Sequence, residues 1–192
     1  MARKVGLAVE HVVDAAVAVA DAEGLEAVTL ARVASALGVR PPSLYSHVDG
    51  VAGLRRAVSL RAAAALGHAL ADAAEGRDGP DGLRALAHAY RAFALTHPGL
   101  YASLLPTPTA DHDPAGAAAF AAPVATVAAA FHQLGVAEAD LVPLVRAFRS
   151  GLHGFVALET GGGFGLPVDV DASFDALVDL VVAGIVARAA VG

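Results

Sequence analysis

The densest set of recognition groups in this sequence is an eight-residue run, Arg40-Pro41-Pro42-Ser43-Leu44-Tyr45-Ser46-His47. The guanidinium of Arg40 can fork onto O6 and N7 of a guanine. The Tyr45 hydroxyl and the His47 imidazole suit phosphate oxygens, contacts that fix register without reading a base. Thr29 offers a hydroxyl and the free N–H groups of a helix start to a further phosphate. The chemistry implied is hydrogen bonding to a nucleic acid. Such groups need an apolar backing, and the alternation supplies it: Arg40, Pro41, Pro42, Ser43 and Ser46 lie outward, with Val39, Leu44 and Val48 inward.

The flanking pattern is helical throughout. Val9, Val12, Val13, Ala16, Val19 and Ala20 recur along one helix face, with Glu10 and Asp14 off it. Gly24-Leu25 reads as a left-handed stop. Thr29 caps a second helix with Leu30, Val33, Ala34 and Leu37 inward, and Gly38 ends it. Pro41-Pro42 opens a third, very short helix to about Val48, because a first turn has no use for those N–H groups. After Asp49-Gly50 a long helix is expected over about 51–74, with Leu54, Val58, Ala62, Leu66 and Leu70 on one stripe. Glu75–Pro80 reads as a turn and hinge. Further helices are expected at about 81–97, 100–105, 115–134, 138–160 and 173–190, with a polar, proline-broken loop from Pro106 to Pro114. The fold class is all-α with about nine helices.

Composition narrows the class. The chain has 192 residues, enough for a sizeable core, and 56% are hydrophobic, many of them the helix-favouring Ala. It has no Cys, which excludes disulfides, thiolate metal sites and a cysteine nucleophile and fits a reducing cytoplasm. No signal peptide is expected. Mean hydropathy is +0.59, and the longest uncharged window is Pro114–Ala137. That window contains Pro123, His132 and Gln133 and has no basic flanks, so a buried bundle helix is expected there and no membrane span. Net charge is −6, yet residues 1–61 carry +1, with Arg3, Lys4, Arg32, Arg40, Arg55, Arg56 and Arg61 against six acids. The remainder carries −7, which points nucleic acid to the N-terminal third.

The segment Val28–Leu54, VTLARVASALGVRPPSLYSHVDGVAGL, resembles the DNA-binding region of the TetR family of bacterial transcriptional regulators. The likeness rests on the Thr29 cap, Ala34…Leu37-Gly38-Val39, Pro42, Leu44-Tyr45-x-His47-Val48 and Leu54. It implies a helix-turn-helix whose short third helix enters the major groove. Family members usually carry a Lys four residues after the histidine as a phosphate contact. That position is Val51 here, and Arg55 or Arg56 is expected to compensate.

The resemblance further implies a DNA-binding domain over 1–50 and a ligand-binding and dimerisation domain over 51–192, linked through the 51–74 helix. Arg149-Ser-Gly-Leu-His153-Gly154-Phe155 is similar to a C-terminal subtype with a Trp-His-Gly-like signature, with Leu152 at the aromatic position. The last helix has two apolar sides. One is Phe174, Leu177, Val178, Val181 and Ile185, and the other is Leu180, Ala183, Gly184 and Ala187. A helix apolar nearly all round is buried on both sides, one in its own core and one against a partner. The expected homodimer surface is Leu152, Phe155, Val178, Val181, Gly184 and Ile185. A small, largely apolar effector is expected among Tyr90, Phe93, His97, Tyr101, Phe120, Phe131, Phe148 and Arg149.

The resulting expectation is a cytoplasmic, ligand-responsive repressor on a palindromic operator, needing no metal or cofactor. The alternatives are a helical interaction protein without DNA binding, or a small helical enzyme. Neither Gly-x-Ser-x-Gly nor His-Glu-x-x-His occurs. Asp111-His112-Asp113 reads as a loop rather than a metal site. Gly161-Gly-Gly-Phe-Gly165 comes after a helix and reads as a linker.

Overall fold

The computed structural model describes residues 7–105 and 111–190. Arg3, Lys4 and most of the expected proline-broken loop lie outside them. Eight α-helices are present among the described residues, and no strand. They are α1 (Val9–Glu23), α2 (Leu30–Leu37), α3 (Gly50–Ala74), α4 (Gly79–Thr96), α5 (Pro98–Ser103), α6 (Pro114–Gln133), α7 (Glu138–Thr160) and α8 (Val170–Ala189). Two short 3₁₀ turns, Leu25–Ala27 and Pro41–Leu44, join the first three. The third helix expected from sequence is therefore a 3₁₀ turn. The segment is only four residues long and closes on an i→i+3 bond, Ser43 N–H to the Arg40 carbonyl, without running on into an α-helical ladder.

Packing groups the chain otherwise than by a cut at residue 50. One compact unit comprises Met1–Ala63 and His97–Ala119, the other Ala64–Thr96 and Phe120–Gly192. In the first, Val12, Ala16 and Val19 of α1, Val33 and Ala34 of α2, and Leu54 and Val58 of α3 form the core. Val9, expected on the inner face, is exposed at the helix start. Thr29 caps α2 by accepting the Arg32 N–H at 3.1 Å. At the other end Gly38 is left-handed, with φ 67°, and the Val39 and Gly38 N–H groups reach the Ala34 and Ser35 carbonyls. Those two bonds close the helix without a side chain, and φ > 0 is why glycine is needed there.

The segment His97–Ser103 joins this unit because α1 and α5 meet closely. The Asp21 carboxylate accepts the Gly99 and Leu100 N–H groups at 2.9 and 3.0 Å, and its other oxygen lies 3.2 Å from His97 Nδ1. Asp21 thus caps α5 from another helix. A Cβ at Gly99 would overlap the Ala20 backbone, so only glycine permits the approach.

In the second unit, α4 packs against both α7 and α8. Leu83, Leu86 and Tyr90 of α4, Phe148, Leu152 and Val156 of α7, and Phe174, Val178, Val182 and Ile185 of α8 are buried. Arg91 ties the three helices together. Its guanidinium donates to Glu159 on α7 and to Asp171 on α8, and it lies 4.8 Å from the Phe174 ring centroid. Its side chain is 12% exposed, and these bonds raise its already high pKa. Gly67 of α3 faces Ala122 and Pro123 of α6, where α6 runs on through the proline. By length and composition α6 and α7 could each cross a membrane. Yet α7 carries Arg146 and Arg149 and buries Phe148, Leu152 and Val156 within this unit.

Gly99→Ala should cost about 3 kcal/mol, because a rigid backbone has to move to admit the methyl group. Urea unfolding measures it. A loss below about 0.5 kcal/mol would show that α1 and α5 separate freely.

Candidate nucleic-acid interface

The Arg40–His47 run is held by two anchors. Leu44 is fully buried and Val48 nearly so, both in the first unit. Local bonds shape the rest: Ser43 N–H to the Arg40 carbonyl (2.9 Å), His47 N–H to the Leu44 carbonyl (2.9 Å), and Ser46 Oγ to the Ser43 carbonyl (3.2 Å). Arg40, Pro41, Pro42, Ser43, Tyr45 and Ser46 are exposed, Tyr45 at 64%, and His47 is half-buried. This turn brings together the donors singled out by sequence. Its four residues sum to little dipole, and the prolines donate nothing, so recognition falls to side chains.

Cation pairing separates the arginines. Arg32 is bound to Glu23, with its Nε 3.0 Å from both carboxylate oxygens. Arg61 is bound to Asp14 at 2.8 Å. Arg56 forks onto Asp113 at 2.6 and 2.7 Å. That guanidinium, with the Gly116 N–H as the lesser cause, holds the Asp113 carboxyl at a pKa of about 2. Arg55 is half-buried, and its guanidinium meets the Glu26 carboxylate at 3.0 Å and the Glu26 and Val28 carbonyls at 3.2 and 3.4 Å. Arg55 and Arg56, expected to replace the missing Lys at Val51, are thus both engaged inside the unit. Among the described residues, Arg40 alone of this unit's arginines makes no side-chain hydrogen bond or ion pair. Sequence reasoning missed Glu23, Glu26 and Asp113 as partners. They stand 9, 29 and 57 residues from their arginines, and only the Glu23 spacing is short.

The other expected sites fall in both units. Tyr90, Phe93, Phe120, Phe131 and Phe148 are buried in the second unit, with Phe131 and Phe148 edge to face at 5.9 Å. His97 and Tyr101 belong to the first unit, and the His97 ring is engaged with Asp21. Arg149 is exposed on α7, outside that buried aromatic set. Of the expected partner-facing residues, Leu152, Val178 and Ile185 are at most 3% exposed within a single chain, so they build its own core. Phe155 is half-buried against Phe164 and Phe174, and Val181 is half-buried near Gly151. Gly184 is open, as is Leu180 at 74% exposure.

Comparison with known proteins gives the class. Residues 12–58 match the family model of bacterial regulatory proteins of the tetR family, and residues 83–181 match a tetracyclin repressor-like C-terminal domain. The uncharacterized HTH-type transcriptional regulator Rv0681 of Mycobacterium tuberculosis is 35% identical over 188 residues, covering 98% of this chain and 86% of that protein. The structure of SCO7222, a TetR from Streptomyces coelicolor, matches with a TM-score of 0.70 at 25% identity, over 95% and 99% of the two chains. ActR of Streptomyces coelicolor, in complex with (S)-DNPA, shares the fold with a TM-score of 0.69 at 18% identity, over 95% and 98%. The chain belongs to the TetR family of DNA-binding transcriptional regulators. That family regulates transcription rather than catalysing a reaction, and its members bind DNA operators, dimerise and bind small molecules.

Arg40→Ala should relax base preference, with a loss of ~1–3 kcal/mol on the preferred duplex only. Tyr45→Phe should weaken binding to all duplexes alike. Fluorescence anisotropy on preferred and scrambled duplexes separates the two. Equal loss on both for Arg40→Ala would remove its reading role.

Proposed function

We propose that this protein is a cytoplasmic homodimeric repressor that grips a palindromic operator through two copies of the Arg40–His47 turn and releases it when a small, largely apolar effector binds. The observation that carries the reading is Arg40, exposed and unpaired on a turn anchored by Leu44. Arg40, Ser43 and Ser46 face base edges across the tip formed by Pro41 and Pro42, while Tyr45, His47 and Thr29 take phosphates. Functionally, residues 1–50 form the reading head and 51–192 the effector and dimerisation part.

The second copy meets the outward sides of α7 and α8. Leu158 and Leu180 are 53% and 74% exposed, and Ala183, Gly184 and Ala187 continue the α8 stripe. Small residues there let backbones approach closely. Leu180→Asp should therefore yield a folded monomer by light scattering, with much weaker operator affinity. Ile185→Asp should instead unfold the second unit, because it buries a charge in the subunit core. A folded Leu180→Asp dimer would exclude this surface.

The effector reading rests on Tyr90 and Phe93 of α4 with Phe120, Phe131 and Phe148, an apolar set with one hydroxyl. The (S)-DNPA complex of ActR supports a small-molecule guest in this fold. α3 has 25 residues, a rod of about 38 Å, and contributes to both units. An effector that favours a tilt of α3 unsuited to the operator spacing lowers DNA affinity by the coupling free energy, typically ~1–3 kcal/mol. Operator must then weaken effector binding by the same factor. Calorimetry with an effector found by thermal-shift screening, with and without operator, checks this. Equal effector affinities in the two titrations would sink the mechanism.

A further inference from the structure

We infer that Arg55 is a positioning residue for the phosphate contact at the start of α2, and that it does not itself touch DNA. The inference rests on the DNA-reading role proposed for Thr29. Arg55 lies in the second turn of α3, 26 residues along the chain from Thr29, and its guanidinium reaches back to the turn that precedes α2. Its Nε donates to the Val28 carbonyl at 3.4 Å, and its Nη2 donates to the Glu26 carbonyl at 3.2 Å. The Glu26 carboxylate completes the fork at 3.0 Å.

Two of these acceptors are backbone atoms of the Glu26–Val28 segment, and the next residue is Thr29. Val28 is fully buried, so one side of that segment is pinned by its side chain and the other by Arg55. Pinning the segment sets the orientation of Thr29, which is extended at φ −125°, and of the first N–H groups of α2. An anion is bound there by the direction of those N–H groups, so a small rotation of the turn misaims all of them together. The guanidinium is suited to this task because its planar donors bond two carbonyls at once, which an ammonium on a flexible stem does not reproduce. The carboxylate of Glu26 neutralises the charge, so the staple adds no net attraction for phosphate.

The test uses the full-length chain and a palindromic duplex selected from random sequence by the wild-type protein. Affinity is measured between about 50 and 200 mM salt, where each phosphate contact contributes about −0.9 to the slope of log K against log [salt]. Arg55→Ala should weaken binding about tenfold while leaving the slope unchanged. Arg55→Lys, which keeps the charge but not the fork, should lose nearly as much. Glu26→Gln keeps both backbone bonds and should not steepen the slope. In a double-mutant cycle, Thr29→Ala and Arg55→Ala should lose less together than the product of their separate losses, because both act through one phosphate. A slope that falls by about 0.9 per half-site in Arg55→Ala, recovery in Arg55→Lys, or tighter and steeper binding by Glu26→Gln would each overturn the inference in favour of direct contact. Strictly multiplicative losses in the cycle would overturn it in favour of general support of the fold. If Arg55→Ala does not fold by circular dichroism, the lysine and glutamine variants still decide between the two roles. A wild-type protein that selects no duplex would instead remove the Thr29 reading on which the inference stands.

Discussion

Carboxylates outnumber guanidinium groups among the described residues of the first unit, and that constraint decides which arginine side chain is left unpaired. Among the described residues five arginines face eight acids there. Four of the arginines are spent on Glu23, Glu26, Asp113 and Asp14, and all but the Arg32–Glu23 pair tie together segments 29 to 57 residues apart. These pairs are largely exposed, so their stabilisation is modest. Their larger consequence is local neutrality over most of the unit. The guanidinium of Arg40 then stands out against a background that gives phosphate little general attraction. Specific contacts therefore carry a larger share of affinity than in a strongly basic head.

The elements were largely legible in the sequence, and the reasons are local. Thr29, Gly38 and the prolines at 41, 42 and 98 act within a few residues, where capping and backbone rules apply directly. One local miss, helix against 3₁₀ turn at Pro41–Leu44, concerned a segment too short for periodicity to separate them. The joint between Asp21 and α5 was not legible. A carboxylate that caps a helix 78 residues away leaves no spacing signal, and neither does a glycine needed for close approach between helices. Arg91 is a similar case. Its partners Glu159 and Asp171 lie on two other helices, so a lone arginine on an apolar stripe gives no sign of the network it centres.

The two apolar sides of α8 show where pattern reading stops. Periodicity finds both stripes, but says nothing of which one the subunit keeps. Phe174 and Val178 and their helical successors Val182 and Ile185 meet α4 and α7, so that stripe belongs to the core. Leu180, Ala183, Gly184 and Ala187 remain outward. The larger, β-branched and aromatic residues went inward, and the small ones with a single leucine stayed out. That is the arrangement expected if the core must fill space and the outer side must let another helix come near. Side-chain volume along each stripe, read beside periodicity, would have chosen correctly.

On the reading proposed above, a head with one free described guanidinium on a four-residue turn has little to hold DNA with alone. Dimerisation, a property of the family, changes that arithmetic, because the second half-site is met at an effective concentration set by the spacing of the two heads. The gain is large only when the spacing matches the operator, and it disappears when it does not. Weak heads therefore make the regulator sensitive to small changes of geometry. With strong, highly charged heads, a mismatched dimer would stay on DNA through one subunit. The internal neutralisation of Arg32, Arg55, Arg56 and Arg61 is thus consistent with control exerted through geometry, for which the family's binding of small molecules supplies the input.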